Sequence, residues 1–206
     1  MSYRYSKSVP WISEEERSLY RFDDIVQVKD IVDLRNEIDS HFGSMISPEY
    51  VRKRNWEVGV ISCNDEAAED IFLDRLFSVL VENFKEHAYA LPARDFSRDE
   101  WNKVAEIERF SPALIAYFYL SNENIQIVRR GMIPVYGEVY FIIPESRGFC
   151  YLNVNGEYHM IGSCREVLIK SFGEDYASQW KKAIAISGIG SSSEADMTRA
   201  ARSYGY

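Results

Sequence analysis

Between residues 113 and 162 the chain is a succession of short segments with the composition of β-strands, and this stretch constrains the fold most. The segments are rich in tyrosine, isoleucine, valine and phenylalanine, and turn residues separate them. They read, in chain order, ALIAYFYLS, IQIVRRGMI, YGEVYFIIP, GFCYLNV and EYHMI. Because the connections are too short for helical crossovers, the segments predict an antiparallel sheet of about five strands.

Helical patterns precede this sheet. The strongest spans residues 64–87, where acidic residues fill the first turns and apolar residues recur at helical spacing. The apolar residues predicted to be buried are Ile71, Phe72, Leu76, Val79, Leu80 and Phe84. Weaker helical patterns cover residues 25–41 and 97–110, whereas the segment 56–62 has the composition of a strand and Pro92 falls in a predicted loop.

Helical patterns also follow the sheet. Ser163 opens a capping box, the helix after it ends near Gly173, and a second helix extends to residue 186. The run at 187–193 is rich in glycine and serine, which is typical of a flexible linker. The residues after the linker either form a frayed tail or a short helix that docks on the sheet or on a partner. The apolar face of that helix comprises Met197, Ala200, Ala201 and Tyr204.

These elements place the chain in the α+β class, as a single domain at residues 1–186 followed by the linker and short helix at 187–206. The domain combines an acidic helical half at 1–110, a β-rich half at 111–162 and the helices at 163–186. We expect the sheet to pack against the N-terminal helices and a C-terminal helix pair.

Cys150 and His159 lie in two neighbouring predicted strands. The Asn-Gly dipeptide at 155–156 fits a two-residue type I′ turn, which pairs Leu152 with His159. In this register Cys150 and His159 are diagonal neighbours on one face, so a nucleophile–base dyad is one interpretation. The surroundings favour the other, which is core packing, because the thiol lies among aliphatic side chains and no glycine-rich turn nearby suggests an oxyanion hole.

Tyrosines alternate with aliphatic residues in the predicted strands. If the aliphatic sides align, the opposite face of the sheet carries Tyr117, Tyr119, Tyr136, Tyr140, Tyr151 and Tyr158. Tyrosine combines apolar area with a polar tip, and it is enriched where proteins bind proteins. This face is either a partner-binding surface or a face that helices cover.

The net charge of −8 arises entirely in the first half of the chain. Residues 1–110 contain 23 acidic and 15 basic residues, whereas residues 111–206 contain nine of each. An acidic surface repels phosphate backbones, which disfavours general nucleic-acid binding and favours a basic protein partner. Glu66, Asp70 and Asp74 form an i, i+4 row that either steers such a partner or is an ordinary solvated face.

Motifs for cofactors, metals and common hydrolases are absent from the sequence. The three histidines lie in separate predicted elements, and neither a phosphate-binding glycine loop nor the Gly-x-Ser-x-Gly pattern occurs. We therefore predict no cofactor and no metal ligand.

Targeting signals are also absent from the sequence. No apolar run approaches the roughly 18 residues of a membrane-spanning helix, and the first residues lack the apolar centre of a signal peptide. The three cysteines are widely spaced, which suits reduced thiols. We therefore expect a cytoplasmic protein without membrane contact.

These observations favour a non-catalytic protein-binding module. Its most specific form is an inhibitor or immunity protein of a bacterium or phage, which neutralises a basic toxin or nucleic-acid enzyme by presenting carboxylates in place of phosphates. Two alternatives stay open. One is a structural or assembly subunit of a homo- or hetero-oligomer, and the other is an unfamiliar cysteine-dependent enzyme that uses Cys150 and His159.

Overall fold

The computed structural model describes residues 34–38, 45–62, 66–93, 116–136, 140–154, 158–186 and 192–206. Residues 34–38 are helical. The further helices are α1 (Pro48–Lys53), α2 (Glu66–Asn83), α3 (Asn122–Tyr136), α4 (Arg165–Phe172), α5 (Ser178–Ile186) and α6 (Ser192–Tyr204). The strands are β1 (Glu57–Ser62), β2 (His87–Pro92), β3 (Ala116–Tyr119), β4 (Tyr140–Pro144), β5 (Phe149–Val154) and β6 (Tyr158–Ser163). The predicted helix at 97–110 and most of the predicted linker lie outside the described residues.

The six strands form one open antiparallel sheet with the order β1-β6-β5-β4-β2-β3, which confirms the predicted α+β class. The strand predicted at 56–62 is β1, and it forms one edge of the sheet. Strand β2 was predicted as a helix end and a loop, but it pairs with both β3 and β4. Pro92, predicted to lie in a loop, is the last residue of this strand.

The segment 125–133 was predicted as a strand but belongs to α3. Ser121 precedes this helix, and its hydroxyl accepts a hydrogen bond from the backbone N–H of Asn124 at 3.1 Å, which satisfies one free donor of the first turn. Ile125 and Val128 are buried at helical spacing. The helix start and this spacing outweigh the β-propensity of isoleucine and valine, which depends strongly on context.

Helices cover the sheet on both faces. The first face carries the side chains of Tyr140 and Tyr151, and it packs against α2, α3 and α4. The second face carries Cys150 and Leu152, and it packs against residues 34–38, α1, α5 and α6. The predicted C-terminal helices α4 and α5 therefore lie on opposite faces, and the central strands β4, β5 and β6 are buried along their whole length. Among the described helices, none has the length and apolar character needed to cross a bilayer.

The β5–β6 hairpin is shifted by one residue from the predicted register. Cys150 pairs with Gly162 and Asn153 with His159, so three residues, 155–157, connect the strands instead of a two-residue turn. Because side chains alternate along a strand, this shift moves every side chain of β6 to the other face. The predicted shared face is therefore wrong: Cys150 lies on the second face and His159 on the first.

Side chains near the C-terminal end of the chain close the β1 edge of the sheet. Trp180 Nε1 donates to the carbonyl oxygen of Val58 at 2.9 Å, and the backbone of Val58 also hydrogen-bonds to the Tyr206 side chain. The rings of Tyr206 and Trp180 stack with their centroids 5.6 Å apart. These side chains occupy backbone groups that an edge strand otherwise offers to another chain.

Helix α6 docks on the second face, which decides between the alternatives for the tail. Met197, Ala200 and Ala201 are buried in the apolar cluster of that face. The Tyr204 hydroxyl donates to the carbonyl oxygen of Ile46. The apolar stripe seen in the sequence is therefore used within the chain itself.

Replacing Met197 by alanine should lower the free energy of unfolding by about 2–5 kcal/mol, because the buried side chain leaves a cavity beneath α6. Urea denaturation followed by circular dichroism measures this change. As a control, Arg202→Ala on the exposed side of α6 should change the free energy by about 0.5 kcal/mol or less. Equally small effects of both substitutions would show that α6 does not pack on the sheet.

Candidate functional site

A series of hydrogen-bonded polar side chains crosses the first face beneath α2 and α3, and we call it the polar chain. Its members are Arg129, Tyr140, Tyr151, His159 and Glu69. Arg129 Nε lies 2.9 Å from the Tyr140 hydroxyl, which in turn hydrogen-bonds to Tyr151. The Tyr151 hydroxyl lies 2.9 Å from His159 Nδ1, and His159 Nε2 lies 2.7 Å from Glu69 Oε1. The polar chain therefore links α3 through the sheet to α2.

Strand register brings the sheet members of the polar chain together. Tyr140 pairs with Asn153 and Asn153 pairs with His159, so these three residues form one row across β4, β5 and β6. Tyr151 lies two residues before Asn153 and therefore projects from the same face. The row thus depends on the observed register, since a shift of one residue would carry His159 to the other face.

The hydrogen bonds of the polar chain all have the same donor-to-acceptor direction. The Glu69 carboxylate accepts from His159 Nε2, which leaves Nδ1 of the neutral imidazole to accept from Tyr151. Tyr140 donates to Tyr151, and Arg129 donates to Tyr140. Each group therefore donates to the next, from a cation to a carboxylate, and the low dielectric of the interior strengthens such bonds.

Burial is the largest cause of the pKa shifts of His159 and Tyr140. It lowers the pKa of His159, the hydrogen bond to Glu69 opposes this shift, and the charge of Arg129 adds to it. Burial raises the pKa of Tyr140 well above its usual value, with a further contribution from Tyr151. For Arg129, burial acts to lower the pKa, but Tyr151 and Tyr140 outweigh it and raise the pKa, so the guanidinium stays charged.

Asn153 competes with Tyr151 for the imidazole of His159. Its Nδ2 lies 3.1 Å from His159 Nδ1, a nitrogen with one lone pair that already accepts from Tyr151. The Oδ1 atom of Asn153 is buried, and no described residue offers it a hydrogen bond. Two donors directed at one nitrogen stabilise the neutral imidazole.

The polar chain contains groups used in acid–base chemistry, but they are enclosed. The side chain of His159 is 1% exposed and that of Glu69 is 18% exposed. A general base must reach the proton that it removes, and only the Glu69 carboxylate approaches the surface. In this geometry the polar chain fixes the orientation of α2 on the sheet.

Cys150 is fully buried in the apolar cluster of the second face, together with Leu152, Val154 and Met160. Burial raises the pKa of its thiol well above the ordinary value. The sheet separates Cys150 from His159, so these two residues do not meet as a nucleophile and its base. The surroundings of the thiol are those of a small apolar core residue.

The predicted common face of tyrosines is wrong, because its members occupy different parts of the fold. Tyr140 and Tyr151 are buried in the polar chain, whereas Tyr158 is buried on the second face. Tyr136 is the last residue of α3 and not part of a strand. The register shift of β6 and the helix in place of a strand at 125–133 account for these differences.

Tyr117 and Tyr119 project from β3 beside two aromatic side chains of β2 that the sequence reasoning missed. His87 is the cross-strand neighbour of Tyr119, and Tyr89 is that of Tyr117. Tyr119 is 48% exposed, while the other three side chains are partly exposed. Residues 87–91 alternate in size in the manner of a strand, which is the signal for β2 in the sequence, but the helical pattern and the predicted loop above cover these residues.

The acidic row on α2 is exposed at the two positions where its side chains are described, Asp70 and Asp74. Glu66 begins α2, and its side chain lies outside the described part of the structure. Ile71 was predicted to be buried but is 73% exposed beside these acids. The buried stripe of α2 comprises Leu73, Leu76, Phe77 and Leu80. Glu69 turns inward to His159, so the described carboxylates of this helix point in two directions.

Comparisons of the chain with protein-family models, with curated proteins and with solved structures found no match. Within the described ranges, no group of three or more histidine, cysteine, aspartate or glutamate side chains is arranged to hold a metal ion. The chemistry of the chain's own residues is therefore the basis for assigning a function.

Replacing Cys150 by alanine should lower the free energy of unfolding by about 1 kcal/mol, because the thiol packs as a small apolar group. Iodoacetamide labelling of the native protein, mapped by mass spectrometry, should modify the exposed Cys164 and leave Cys150 unmodified. Rapid labelling of Cys150 in the folded protein would contradict its enclosure on the second face.

The free energy of unfolding should fall as the pH drops below about 6.5, the pKa of histidine in an unfolded chain. Burial lowers the pKa of His159 in the folded state, so the unfolded chain binds a proton first and gains stability relative to the fold. The contribution is fully present above pH 6.5 and is lost as the pH falls towards the folded-state pKa. Urea denaturation between pH 5 and pH 8 measures the dependence.

His159→Gln should be less stable overall, and it should lose this part of the pH dependence. The matched control is His87→Gln, which changes a partly exposed histidine outside the polar chain and should keep the part of the slope that comes from His159. If His159→Gln keeps the slope of the wild type between pH 5 and pH 7, the neutral form of His159 does not contribute to stability.

Proposed function

We propose that this protein is a non-catalytic binding module that attracts a basic protein partner through the exposed side of α2. In its most specific form it is an inhibitor or immunity protein that occupies the basic surface of a toxin or nucleic-acid enzyme. The observation that carries the proposal is the exposed set of Asp70, Ile71 and Asp74 on one helix.

The exposed set combines two features of a recognition surface. Ile71 supplies apolar area that a partner can desolvate, and the carboxylates of Asp70 and Asp74 attract a partner of opposite charge. A single exposed isoleucine is common on protein surfaces. Ile71 is distinguished by its position between two acidic side chains, Asp70 and Asp74.

The local structure keeps this surface acidic. Arg75 is the basic residue of α2, and its Nη2 donates to the carbonyl oxygen of Lys170 in α4 at 3.1 Å. Its guanidinium is thereby directed towards the neighbouring helix. On the inner side, the bond between Glu69 and His159 and the apolar stripe hold the helix in the orientation that presents the acids.

The excess of acidic residues in the first half of the chain supports the same proposal. The complementary field of an acidic surface raises the rate at which a basic partner arrives, and salt screens this attraction over a Debye length of about 8–10 Å. We therefore expect the acidic residues to act mainly on the association rate, with a partner whose surface is rich in lysine or arginine.

The triple variant Glu66→Gln, Asp70→Asn, Asp74→Asn should associate with a captured partner about 10-fold more slowly at low salt. The difference from the wild type should shrink as salt is added, because screening removes the same attraction. Stopped-flow or surface-plasmon measurements across a range of ionic strength give the rates, with a partner isolated from a lysate of the source cells.

A charge-matched control changes three exposed acids elsewhere: Glu166→Gln, Glu174→Gln and Asp175→Asn. It should alter the association rate much less than the triple variant of α2. Overlapping rate curves for the wild type and the α2 variant would mean that the row is ordinary solvated surface. Self-association of the chain through α2 would instead favour an assembly subunit.

A further inference from the structure

Four aromatic side chains form a continuous surface where β2 and β3 pair, and we call it the edge patch. Its members are His87, Tyr89, Tyr117 and Tyr119. His87 stacks on Tyr117 with centroids 4.8 Å apart, Tyr89 lies 5.0 Å from Tyr117, and His87 meets Tyr119 edge-on at 5.6 Å. Rings that support one another in this way present a preformed contact surface, which reduces the entropy lost on binding.

Among the described residues, the helices of the second face pack mainly on β1 and the central strands, and Tyr89 is the member of the edge patch that contacts their apolar cluster. The apolar cluster beneath them takes its sheet residues from β1, β6, β5, β4 and Leu91 of β2. Among the described residues β3 contributes none to that cluster, although its Ala116 and Phe118 are buried on the first face. Tyr119 is exposed and the other three members are partly exposed, so the edge patch is a surface, whereas the central strands are core on both faces.

The outer side of β3 carries backbone groups directed away from the sheet. The N–H of Leu120 donates to the carbonyl oxygen of Glu86, so by alternation the peptide groups of Phe118 face β2 and those of Tyr117 and Tyr119 face outward. Asn124 Nδ2 donates to the carbonyl oxygen of Tyr119 at 2.9 Å. In the described ranges no strand lies beyond β3, so the outward groups of Tyr117 are positioned to pair with an added strand.

Glu145 supplies an oriented carboxylate at the rim of the edge patch. The Tyr117 hydroxyl donates to Glu145 Oε1 at 2.6 Å, and Tyr89 also hydrogen-bonds to this carboxyl group. The bond to Glu145 raises the pKa of Tyr117 to about 12, so the phenol keeps its proton and holds the carboxylate in place. A guanidinium group suits such surroundings, because it stacks on aromatic faces and hydrogen-bonds to a carboxylate at the same time.

We infer that the edge patch is the docking site for an extended, arginine-containing segment of the basic partner, added as a strand along β3. The inference rests on the proposed function for the basic character of the partner, and it adds the place and the mode of contact. The backbone of the segment pairs with the outward groups of Tyr117, and an arginine stacks on the aromatic rings of the edge patch and binds Glu145. The net charge of −8 favours such a segment over an acidic one.

Three short fluorescent peptides test the inference, with valine alternating with arginine, with lysine or with glutamate. The arginine peptide should bind, the lysine peptide should bind more weakly, and the glutamate peptide should not bind in fluorescence anisotropy. Tyr119→Ser and Glu145→Gln should each weaken binding of the arginine peptide by about fivefold to 10-fold. Glu174→Gln, which removes an exposed carboxylate after α4, should leave it unchanged.

Hydrogen exchange of the backbone amides distinguishes strand addition from capture of a side chain alone. The arginine peptide should slow exchange at the amides of Tyr117 and Tyr119. Absence of this protection, or binding that Tyr119→Ser and Glu145→Gln leave unchanged, would overturn the inference. Self-association that Tyr119→Ser abolishes would also overturn it, since the occupant would then be a second copy of the chain.

The failure of the inference and the failure of the proposed function give different results. A partner that responds to the acidic row and ignores substitutions in the edge patch overturns the inference and leaves the proposed function standing. An arginine peptide that binds the edge patch and protects β3, with no partner that responds to the acidic row, supports the inference and removes the proposed function.

Discussion

The hydrogen-bond chain from Arg129 to Glu69 is the interaction on which the first face of the sheet depends. A buried polar group without a partner costs about 1–3 kcal/mol, so burying Tyr140, Tyr151 and His159 is tolerable because each donates to or accepts from its neighbours. The bond from His159 to Glu69 and the buried apolar stripe of α2 together set the rotation of this helix about its axis. That rotation decides which carboxylates face the solvent, so the acidic surface of Asp70 and Asp74 is a consequence of packing inside the molecule.

Several features set by neighbouring residues were predicted from the sequence, although α3 and β2 were not, and features set by distant pairing were not predicted. The α+β class, the strand at 56–62, the helix within 64–87 and the apolar stripe of α6 follow from local periodicity, and the fold contains them. The register of β5 and β6 depends on whether two or three residues connect the strands, and the Asn-Gly dipeptide at 155–156 is compatible with either. One residue of difference reverses the face of every side chain on β6.

The residues of the candidate site also differ in whether a local sequence pattern marks them. The acidic row lies on one helix, so its spacing alone predicts that Asp70 and Asp74 lie together. Glu69 and His159 are 90 positions apart in the chain, and no local pattern marks them as partners. Residue type alone does not predict the environment of a tyrosine, because Tyr151 is a buried hydrogen-bonding group whereas the ring of Tyr119 is exposed. Only the pairing of strands and the placement of helices separate these environments.

The two edge strands, β1 and β3, differ in how far other side chains cover their outward backbone groups, and this difference bears on function. At the β1 edge, Trp180 and Tyr206 occupy the backbone groups of Val58 and cover them with stacked rings. Such covering prevents an edge strand from recruiting another chain. At the β3 edge the described residues include one comparable contact, from Asn124 to Tyr119, while aromatic rings and a carboxylate stand beside the outward backbone. Charge acts at a distance and strand pairing acts on contact, so the proposed attraction of a basic partner by α2 and the proposed addition of its extended segment at β3 would be complementary parts of one binding process.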